Sequence, residues 1–456
     1  MSMKSIDPAT GALLHEWPLH DDAEVERRLA AARSAHEAWR RRPYAERADL
    51  LRRAGDLMDE RVDAMARRIT AEMGKPIGEA RAEVQKCATT CRWFAEHGPD
   101  MLAPTPIDIG DDGTAHVRHD PLGVVFGVMP WNFPLWQVVR FAAPTLMVGN
   151  TLVVKHAHTT QGCMADLEAV FADAGFPTGC VLSLRVDSDR VPSVIADPRI
   201  AVVTVTGSER AGSAVAEAAG KELKKSVLEL GGSDPFVVLA DADLDAAVAG
   251  AVKGRTLNSG QSCIAAKRFI VVDEIADAFV ERFAAAMREL VVGDPTDDAT
   301  DIGPMARQDL AEDLLDQCRR SVDAGAELVC GGGRPEGRTG AWVQPTVLDR
   351  VTPGMAAFDE ETFGPLAAVV RAADADEALR LANASDYGLT SSVWTTDTAQ
   401  ADRFCVELEA GGVFVNAVPR SDPRVPFGGI GKSGYGRELG MAGLVELANQ
   451  KTVWRA

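Results

Sequence analysis

The stretch GVVFGVMPWNFPLWQVVRFAAPTLMVGNTLVVK, residues 123–155, contains the pattern that decides the fold. Two apolar runs, 123–129 and 151–155, are predicted to be β-strands, and a cluster of aromatic and polar residues follows the first run directly. Strands that are apolar almost throughout are typical of a parallel sheet whose two faces are both covered. Ligands of such sheets bind at the strand ends, so the cluster at 129–134 is a candidate site.

The same alternation continues along the chain. Further strands are predicted at 201–206, 227–230 and 236–239, separated by helices at 160–174, 210–219 and 244–257. A second series of strands covers 268–272, 367–370, 392–395 and 413–415, again with intervening helices such as 276–290. Residues 21–97 show helical spacing instead, with one helix expected across 50–69 and another across 79–97. The pattern predicts an α/β protein of two lobes with a helical N-terminal layer.

Composition excludes several classes of partner. The chain has 456 residues, with 48 Lys+Arg against 67 Asp+Glu and a formal net charge of −19. Such an acidic chain has no general basic field to attract phosphates, so neither nucleic acid nor a membrane surface is expected as a partner. The longest uncharged run, 121–139, contains three prolines, which argues against a membrane span, and the first residues contain no secretory signal.

Cysteine and histidine usage narrows the chemistry. The eight cysteines form no C-x-x-C pair, which predicts reduced thiols and a cytoplasmic location. All eight histidines fall between His15 and His158, so no imidazole comes from the second half of the chain. This argues against the function of a Cys–His hydrolase, which needs an imidazole beside the thiol. No metal site is expected either.

Four clusters at strand ends contain groups that could do chemistry. They are 129–134 (MPWNFP), 227–232 (VLELGG), 258–263 (NSGQSC) and 360–365 (EETFGP). Together they offer Cys263 as a nucleophile, Glu229 as a base and Asn132 as an oxyanion donor. Each also has a structural alternative: Cys263 as a small buried apolar group, Glu229 as a paired or protonated carboxyl, Asn132 as a turn former.

In these motifs the whole chain resembles the NAD(P)-dependent aldehyde dehydrogenase superfamily. Glu229 and Cys263 lie 34 residues apart, and the order and spacing of all the motifs match over almost the full length. Within that superfamily the runs 131–142, 155–157 and 262–267 look most like bacterial succinate-semialdehyde dehydrogenases. The matching motifs are Pro130-Trp131-Asn132, Lys155, Gly207-Ser208, Glu229-Leu230-Gly231-Gly232, Gly260-Gln261-Ser262-Cys263, Glu361-Thr362-Phe363-Gly364-Pro365, Pro426-Phe427-Gly428-Gly429 and Lys432-Ser433-Gly434.

The resemblance implies a fold, domains and a reaction. The fold would be two doubly wound lobes, with a Rossmann-like cofactor domain at 1–101 and 122–230 and a catalytic domain at 231–430. Residues 102–121 and 440–456 would form a small β element for a homodimer or homotetramer. Cys263 would attack an aldehyde to give a thiohemiacetal and then a thioester, Asn132 would hold the oxyanion, and Glu229 would activate water.

It also implies a cofactor site, with residues Trp131, Asn132, Lys155, His158, Gly207, Ser208, Leu230, Glu361 and Phe363. NAD-preferring relatives often have Glu three residues after this Lys, where His158 stands. Without that carboxylate a 2′-phosphate should be accepted, so NADP is expected, with NAD possible. On its own, Gly207-Ser208 would be a simple helix cap.

Substrate residues implied by the resemblance are Arg140, Trp136, Ser262 and Ser421, with Arg140 holding the distal carboxylate of succinate semialdehyde. An intramolecular salt bridge is the alternative for Arg140, because an isolated Arg in an apolar run needs an anionic partner. Three other functions stay open: oxidation of another small aliphatic aldehyde, a cofactor-independent thiol esterase, and a binding protein on an inactive dehydrogenase scaffold.

Overall fold

The computed structural model describes residues 2–456. Its N-terminal part is a hairpin followed by four helices that pack against the first lobe. These elements are β1 (Ser2–Ile6), β2 (Leu13–Pro18), α1 (Asp22–Trp39), α2 (Tyr44–Glu60), α3 (Val62–Met73) and α4 (Ile77–Met101).

The first lobe is an alternation of strands and helices. Its elements are β3 (Thr105–Ile107), β4 (Thr114–Pro121), β5 (Val124–Val128), α5 (Trp136–Val148), β6 (Thr151–Lys155), α6 (Gln161–Asp173), β7 (Val181–Ser183), α7 (Val191–Ala196), β8 (Ile200–Thr206), α8 (Glu209–Lys221) and β9 (Lys225–Glu229). The second lobe repeats the alternation with β10 (Asp234–Val238), α9 (Leu244–Thr256), β11 (Ala266–Val272), α10 (Asp273–Glu289), α11 (Gln308–Asp323), β12 (Glu327–Cys330), β13 (Thr346–Asp349), α12 (Ala356–Asp359), β14 (Leu366–Ala372), α13 (Ala375–Ala382), β15 (Tyr387–Gly388), β16 (Thr390–Trp394), α14 (Thr398–Glu407) and β17 (Gly412–Val415). The chain ends with β18 (Ile430–Gly431), β19 (Gly434–Tyr435), α15 (Gly440–Glu446) and β20 (Ala448–Arg455).

Two sheets build the lobes, and a third lies apart from them. The first lobe has the order β19-β9-β8-β5-β6-β7, parallel except for β19. The second lobe has the order β12-β13-β14-β11-β10-β16-β17, parallel except for β12. The third sheet, β20-β4-β3, is antiparallel. The predicted fold class of two α/β lobes with a small β element is confirmed.

The central strands of both lobes are buried because their side chains are apolar on both faces. In β5 the residues Val124, Val125 and Phe126 are fully buried, and in β11 Phe269, Ile270 and Val271 are too.

The limits of the domains stay a prediction, and one observation bears on them. The short strand β19 pairs with β9 and so joins the first-lobe sheet from the C-terminal part of the chain.

Several elements differ from the sequence-based expectation. The single helix expected across 50–69 is broken at Arg61 (φ −105°, ψ 12°) into α2 and α3. The apolar spacing continues through the break because both helices pack into the same hydrophobic core, to which α2 contributes Met58 and α3 contributes Met65. The hairpin β1–β2 and helix α11 were not predicted. Within residues 2–456 no helix is both long and apolar enough to cross a bilayer.

Candidate active site

A cavity of about 340 Å³ lies at the strand ends, and residues of both lobes line it. The first lobe contributes the loop after β5 and the ends of β8 and β9, and the second contributes the loop before β11. This is the edge where parallel sheets expose their ligand sites. The lining residues are Pro130, Trp131, Asn132, Gln137, Thr206, Gly207, Ser208, Leu230, Gly231, Cys263, Arg307, Leu310, Glu361 and Phe363.

A hydrogen-bond network joins the two loops that contain Asn132 and Cys263. Asn258 Nδ2 donates to the main-chain oxygens of Asn132 (2.7 Å) and Gln261 (2.9 Å). Asn132 Nδ2 donates in turn to the Gln261 oxygen at 3.2 Å. Since Nδ2 has two hydrogens, one is left for a second acceptor in the cavity. The network therefore positions an amide donor beside the candidate nucleophile.

The loop before Cys263 has a strained backbone. Asn258 (φ 59°), Ser259 (φ 52°) and Gly260 (φ 75°) are three consecutive residues in the left-handed region. For a residue with a Cβ this conformation costs about 1–2 kcal/mol, and Asn tolerates it better than most. Two contacts oppose that cost: Glu79 Oε2 accepts from the Asn258 N–H at 2.7 Å, and Ser259 Oγ accepts from the Gly303 N–H at 3.0 Å.

Cys263 lies at the end of this loop with its thiol facing the cavity. Burial raises the pKa of its thiol to about 11, and the positive charges of Arg140 and Lys267 oppose that rise. Lys267 Nζ donates to the main-chain oxygens of Ser262 (3.1 Å) and Cys263 (2.7 Å). No acceptor for the Cys263 N–H is found among residues 2–456. That N–H is therefore available to a ligand oxygen.

Glu229 ends strand β9 and is buried. Neither of its carboxyl oxygens has a hydrogen-bond partner among residues 2–456. Burial raises the pKa of Glu229 well above its usual value, Arg140 opposes this, and Glu438 adds to it. A buried carboxyl with a raised pKa and free oxygens is suited to exchange protons with a water molecule.

Arg140 forms the ion pair that the sequence left open as an alternative. Its Nε donates to Glu438, and its Nη2 lies 3.3 Å from Thr206 Oγ1. Both side chains of the pair are buried, so the charge of Arg140 already has an anionic partner. Contact between Arg140 and a substrate stays a prediction. What the structure adds is a fixed positive charge near Cys263 and Glu229.

The cofactor residues fall into two groups. Trp131 and Phe363 meet edge to face at 5.7 Å, and Glu361 Oε1 accepts from the Gly232 N–H at 3.0 Å. Gly207 and Ser208 lead into helix α8, whose N-terminus opens toward the same cavity. Ser208 Oγ also accepts from the Ala211 N–H at 3.3 Å, so the cap expected as the alternative is formed as well.

Lys155 and His158 form the second group, outside the lining of the 340 Å³ cavity. Lys155 ends β6 and is buried, which lowers its pKa. His158 is exposed and its Nε2 lies 3.7 Å from Asp187 Oδ1. Burial and the nearby Lys155 lower the pKa of His158. Lys155, His158 and Asp187 thus lie close together just beyond the end of β6.

Two of the predicted substrate residues, Trp136 and Ser421, meet around Lys86 of helix α4. Lys86 Nζ lies 2.8 Å from Ser421 Oγ and 4.1 Å from the centre of the Trp136 ring. Ser262 is buried next to Cys263. The structure thus brings Trp136 and Ser421 together and places Ser262 beside the nucleophile.

Sequence reasoning missed four residues that matter here: Lys86, Asp187, Lys267 and Glu438. Lys267 lies four residues after Cys263 in a quoted run, and its charge in an apolar strand was a usable signal. Asp187 and Glu438 show no signal, because their partners lie far away in sequence. Lys86 resembles any solvent-facing residue of an amphipathic helix.

Comparisons with known proteins identify the family of this chain. Residues 1–453 match the model of the aldehyde dehydrogenase family. The chain is 50% identical, over 99% of its length and 97% of the relative's, to succinate semialdehyde dehydrogenase [NAD(P)+] Sad of Escherichia coli (strain K12). It is 47% identical to succinate-semialdehyde dehydrogenase [NADP(+)] 1 of Mycobacterium tuberculosis (strain ATCC 25618 / H37Rv), covering 100% of both chains. A solved structure of succinic semialdehyde dehydrogenase from Streptococcus pyogenes in complex with NADP+ superposes with a TM-score of 0.97 at 35% identity, covering 99% of both chains.

Substitution of Asn258 tests how the site is positioned. Asn258→Ala removes both side-chain hydrogen bonds and strains the left-handed backbone, whereas Asn258→Gly removes the bonds alone. We expect kcat to fall at least ~10-fold in both variants, because Asn132 loses its support. Thermal unfolding should show a lower Tm for the Ala variant than for the Gly variant. Unchanged kcat would contradict the positioning role, and equal Tm values would contradict the strain.

Proposed function

This chain belongs to the aldehyde dehydrogenase family, and on that premise we propose that it oxidises succinate semialdehyde to succinate, with NADP as the preferred hydride acceptor and NAD as a second one. The observation that most strongly supports this is the arrangement of the site. Cys263 and Asn132 share one cavity, and the unpaired carboxyl of Glu229 is buried at the adjoining strand end. The relatives at 47–50% identity named for this reaction support the substrate.

The first step is addition of the thiolate to the aldehyde. This addition requires that Cys263 first loses its proton, which is unfavourable at neutral pH because burial raises the pKa of the thiol to about 11. Arg140 and Lys267 lower that cost because their charges stabilise the thiolate. The Cys263 sulfur forms a bond to the carbonyl carbon, and the oxygen becomes an alkoxide. The free hydrogen of Asn132 Nδ2 and the Cys263 N–H are the donors for that oxygen, and losing one such donor costs about 10²–10³ in rate.

A nicotinamide bound in this cavity would supply the acceptor for the hydride of the thiohemiacetal carbon. As the C–H electron pair departs, the C–O double bond re-forms and leaves a thioester on Cys263. Glu229 then takes a proton from water while the water oxygen attacks the thioester carbon. The C–S bond breaks, Cys263 is released as thiolate, and the acid is formed. This route needs no imidazole, which agrees with the absence of His after residue 158.

The residues present fit a nicotinamide dinucleotide. The Trp131–Phe363 edge-to-face pair offers an apolar contact for a planar ring, and Glu361 is an acceptor for ribose hydroxyls. The N-terminus of α8 after Gly207 suits a pyrophosphate, since its N–H groups point outward with the positive end of the helix dipole. Lys155 would provide the charge for a 2′-phosphate.

Assembly into a homodimer or homotetramer is part of the proposal. The antiparallel sheet β20-β4-β3 is not hydrogen-bonded to the sheet of either lobe, and it exposes Trp454 (55%) and Ile107 (46%). Exposed apolar side chains on a sheet edge are a liability unless another subunit covers them. We place the enzyme in a reducing compartment, the cytoplasm, because all eight cysteines within residues 2–456 are free thiols.

A panel of aldehydes against both nicotinamide cofactors tests the function. We expect kcat/KM to be highest for succinate semialdehyde with NADP, followed as the appearance of reduced cofactor absorbance, and Cys263→Ala to abolish it. A higher kcat/KM for an uncharged aliphatic aldehyde would assign a different aldehyde. Acid formation from a thioester without any reduced cofactor would assign a thiol esterase instead.

Substitution of His158 tests the cofactor preference. His158→Glu places a carboxylate beside Lys155, where it repels a 2′-phosphate and accepts hydrogen bonds from ribose hydroxyls. We expect KM for NADP to rise ~10-fold or more while KM for NAD falls, with kcat at saturating cofactor little changed. His158→Gln is the matched neutral control. If NADP and NAD respond equally to His158→Glu, the 2′-phosphate does not bind at this position.

A further inference from the structure

Lys86 is a part-buried lysine whose ammonium group has no carboxylate in contact among residues 2–456. Its Nζ contacts Ser421 Oγ at 2.8 Å and lies 4.1 Å from the centre of the Trp136 ring. By contrast, the fully buried Lys75 and Lys267 each pair with a glutamate, Glu83 and Glu361. Burying a cation without an anion is costly, so the site is organised as if an anion arrives from outside.

The carboxylates near Lys86 are already engaged. Glu83, one turn earlier on α4, pairs with Lys75 and accepts from two main-chain N–H groups at the start of α5. Asp422, next to Ser421, accepts three hydrogen bonds, all of them from Arg424. An ammonium has three donors, and the only side-chain acceptor that Lys86 contacts is the neutral Ser421. Lys86 is therefore free to bind an incoming carboxylate.

The position of Lys86 relative to the reacting centre follows from α5. The loop before α5 contains Asn132, its first residue is Trp136, and Arg140 follows one turn later. The charge of Arg140 acts on both the Cys263 thiol and the Lys86 ammonium. Lys86 thus contacts the first turn of the helix that follows the Asn132 loop, through the ring of Trp136.

We propose that Lys86, together with Ser421, binds the distal carboxylate of the aldehyde substrate, with Trp136 packing against its methylene groups. This deepens the proposed function and rests on it. The Nε of Arg140 is held by Glu438, and the charge of Arg140 adds to the positive potential around Lys86. Lys86 is accordingly a specificity residue for ω-carboxylated aldehydes, and its ammonium touches the substrate away from the carbon that reacts.

Lys86→Met tests this, because Met keeps the length and apolar stem and removes the charge. With succinate semialdehyde we expect KM to rise about 10–100-fold, as for the loss of a hydrogen bond to a charged group, and kcat to change less than about 2-fold. With butanal, the uncharged aldehyde of the same chain length, KM should stay constant or fall. In Lys86→Arg, which keeps the positive charge, KM for succinate semialdehyde should stay close to the wild-type value. Lys221→Met, which removes an exposed lysine paired with Glu217, is the control.

The pH dependence supplies a second readout. Burial and then Arg140 lower the pKa of Lys86 to about 8, and Cys87, Glu83 and Asp422 oppose this. The charged form is present below that pKa and is lost as pH rises through it. The ratio of kcat/KM for succinate semialdehyde to that for butanal cancels the ionisation of Cys263, which both reactions share. We expect this ratio to fall above pH 8 in the wild-type enzyme and to stay level in Lys86→Arg.

The outcomes separate the two claims. If wild-type enzyme favours succinate semialdehyde but Lys86→Met leaves its KM unchanged, the Lys86 proposal is overturned and the function stands. If Lys86→Met impairs both aldehydes equally and Lys86→Arg does not rescue, Lys86 is structural and the proposal is overturned. If wild-type enzyme does not favour succinate semialdehyde over butanal, the proposed function fails.

Discussion

The hydrogen-bond network of Asn132, Asn258 and Gln261 is the constraint on which the site depends. Asn132 belongs to the first lobe, and the other two belong to the loop of the second lobe that ends in Cys263. The loop holds three consecutive left-handed residues, a conformation it keeps because Glu79 and Gly303 also bind it. The positions of Cys263 and Asn132 and the relative position of the two lobes are therefore set together.

Electrostatics is the second organising feature. Against a net charge of −19, the buried cations Arg140 and Lys267 lie where a thiolate and an alkoxide develop, and the part-buried Lys86 lies nearby. Arg140 has its own counter-ion in Glu438, and Lys267 is held by main-chain oxygens and Glu361. In the proposed mechanism, fixed positive charge surrounds the Cys263 sulfur with no imidazole, and Glu229 serves for proton transfer.

Much of the fold could be predicted from local pattern. The strand predicted at 151–155 has the same first and last residues as β6, and the strand predicted at 201–206 is β8 without its first residue. Such strands can be recognised in the sequence because they are almost entirely apolar. The break at Arg61 could not be predicted, since the apolar spacing of α2 continues into α3. The partner of Arg140 could not be predicted either, because Glu438 lies 298 residues away and only tertiary packing brings the two together. The environment of Lys86 could not be predicted either, because it is formed by residues of other elements, Trp136 and Ser421, rather than by its own helix.

The central claim is that oxidation passes through a thioester on Cys263 that Glu229 hydrolyses. The most direct measurement is rapid mixing of Glu229→Gln with succinate semialdehyde and NADP, followed by mass analysis of the peptide that contains Cys263. The account predicts a burst of about one equivalent of reduced NADP per site, little turnover afterwards, and an acyl group on Cys263. Full turnover by this variant, or reduced NADP formed with no acyl group on Cys263, would contradict it.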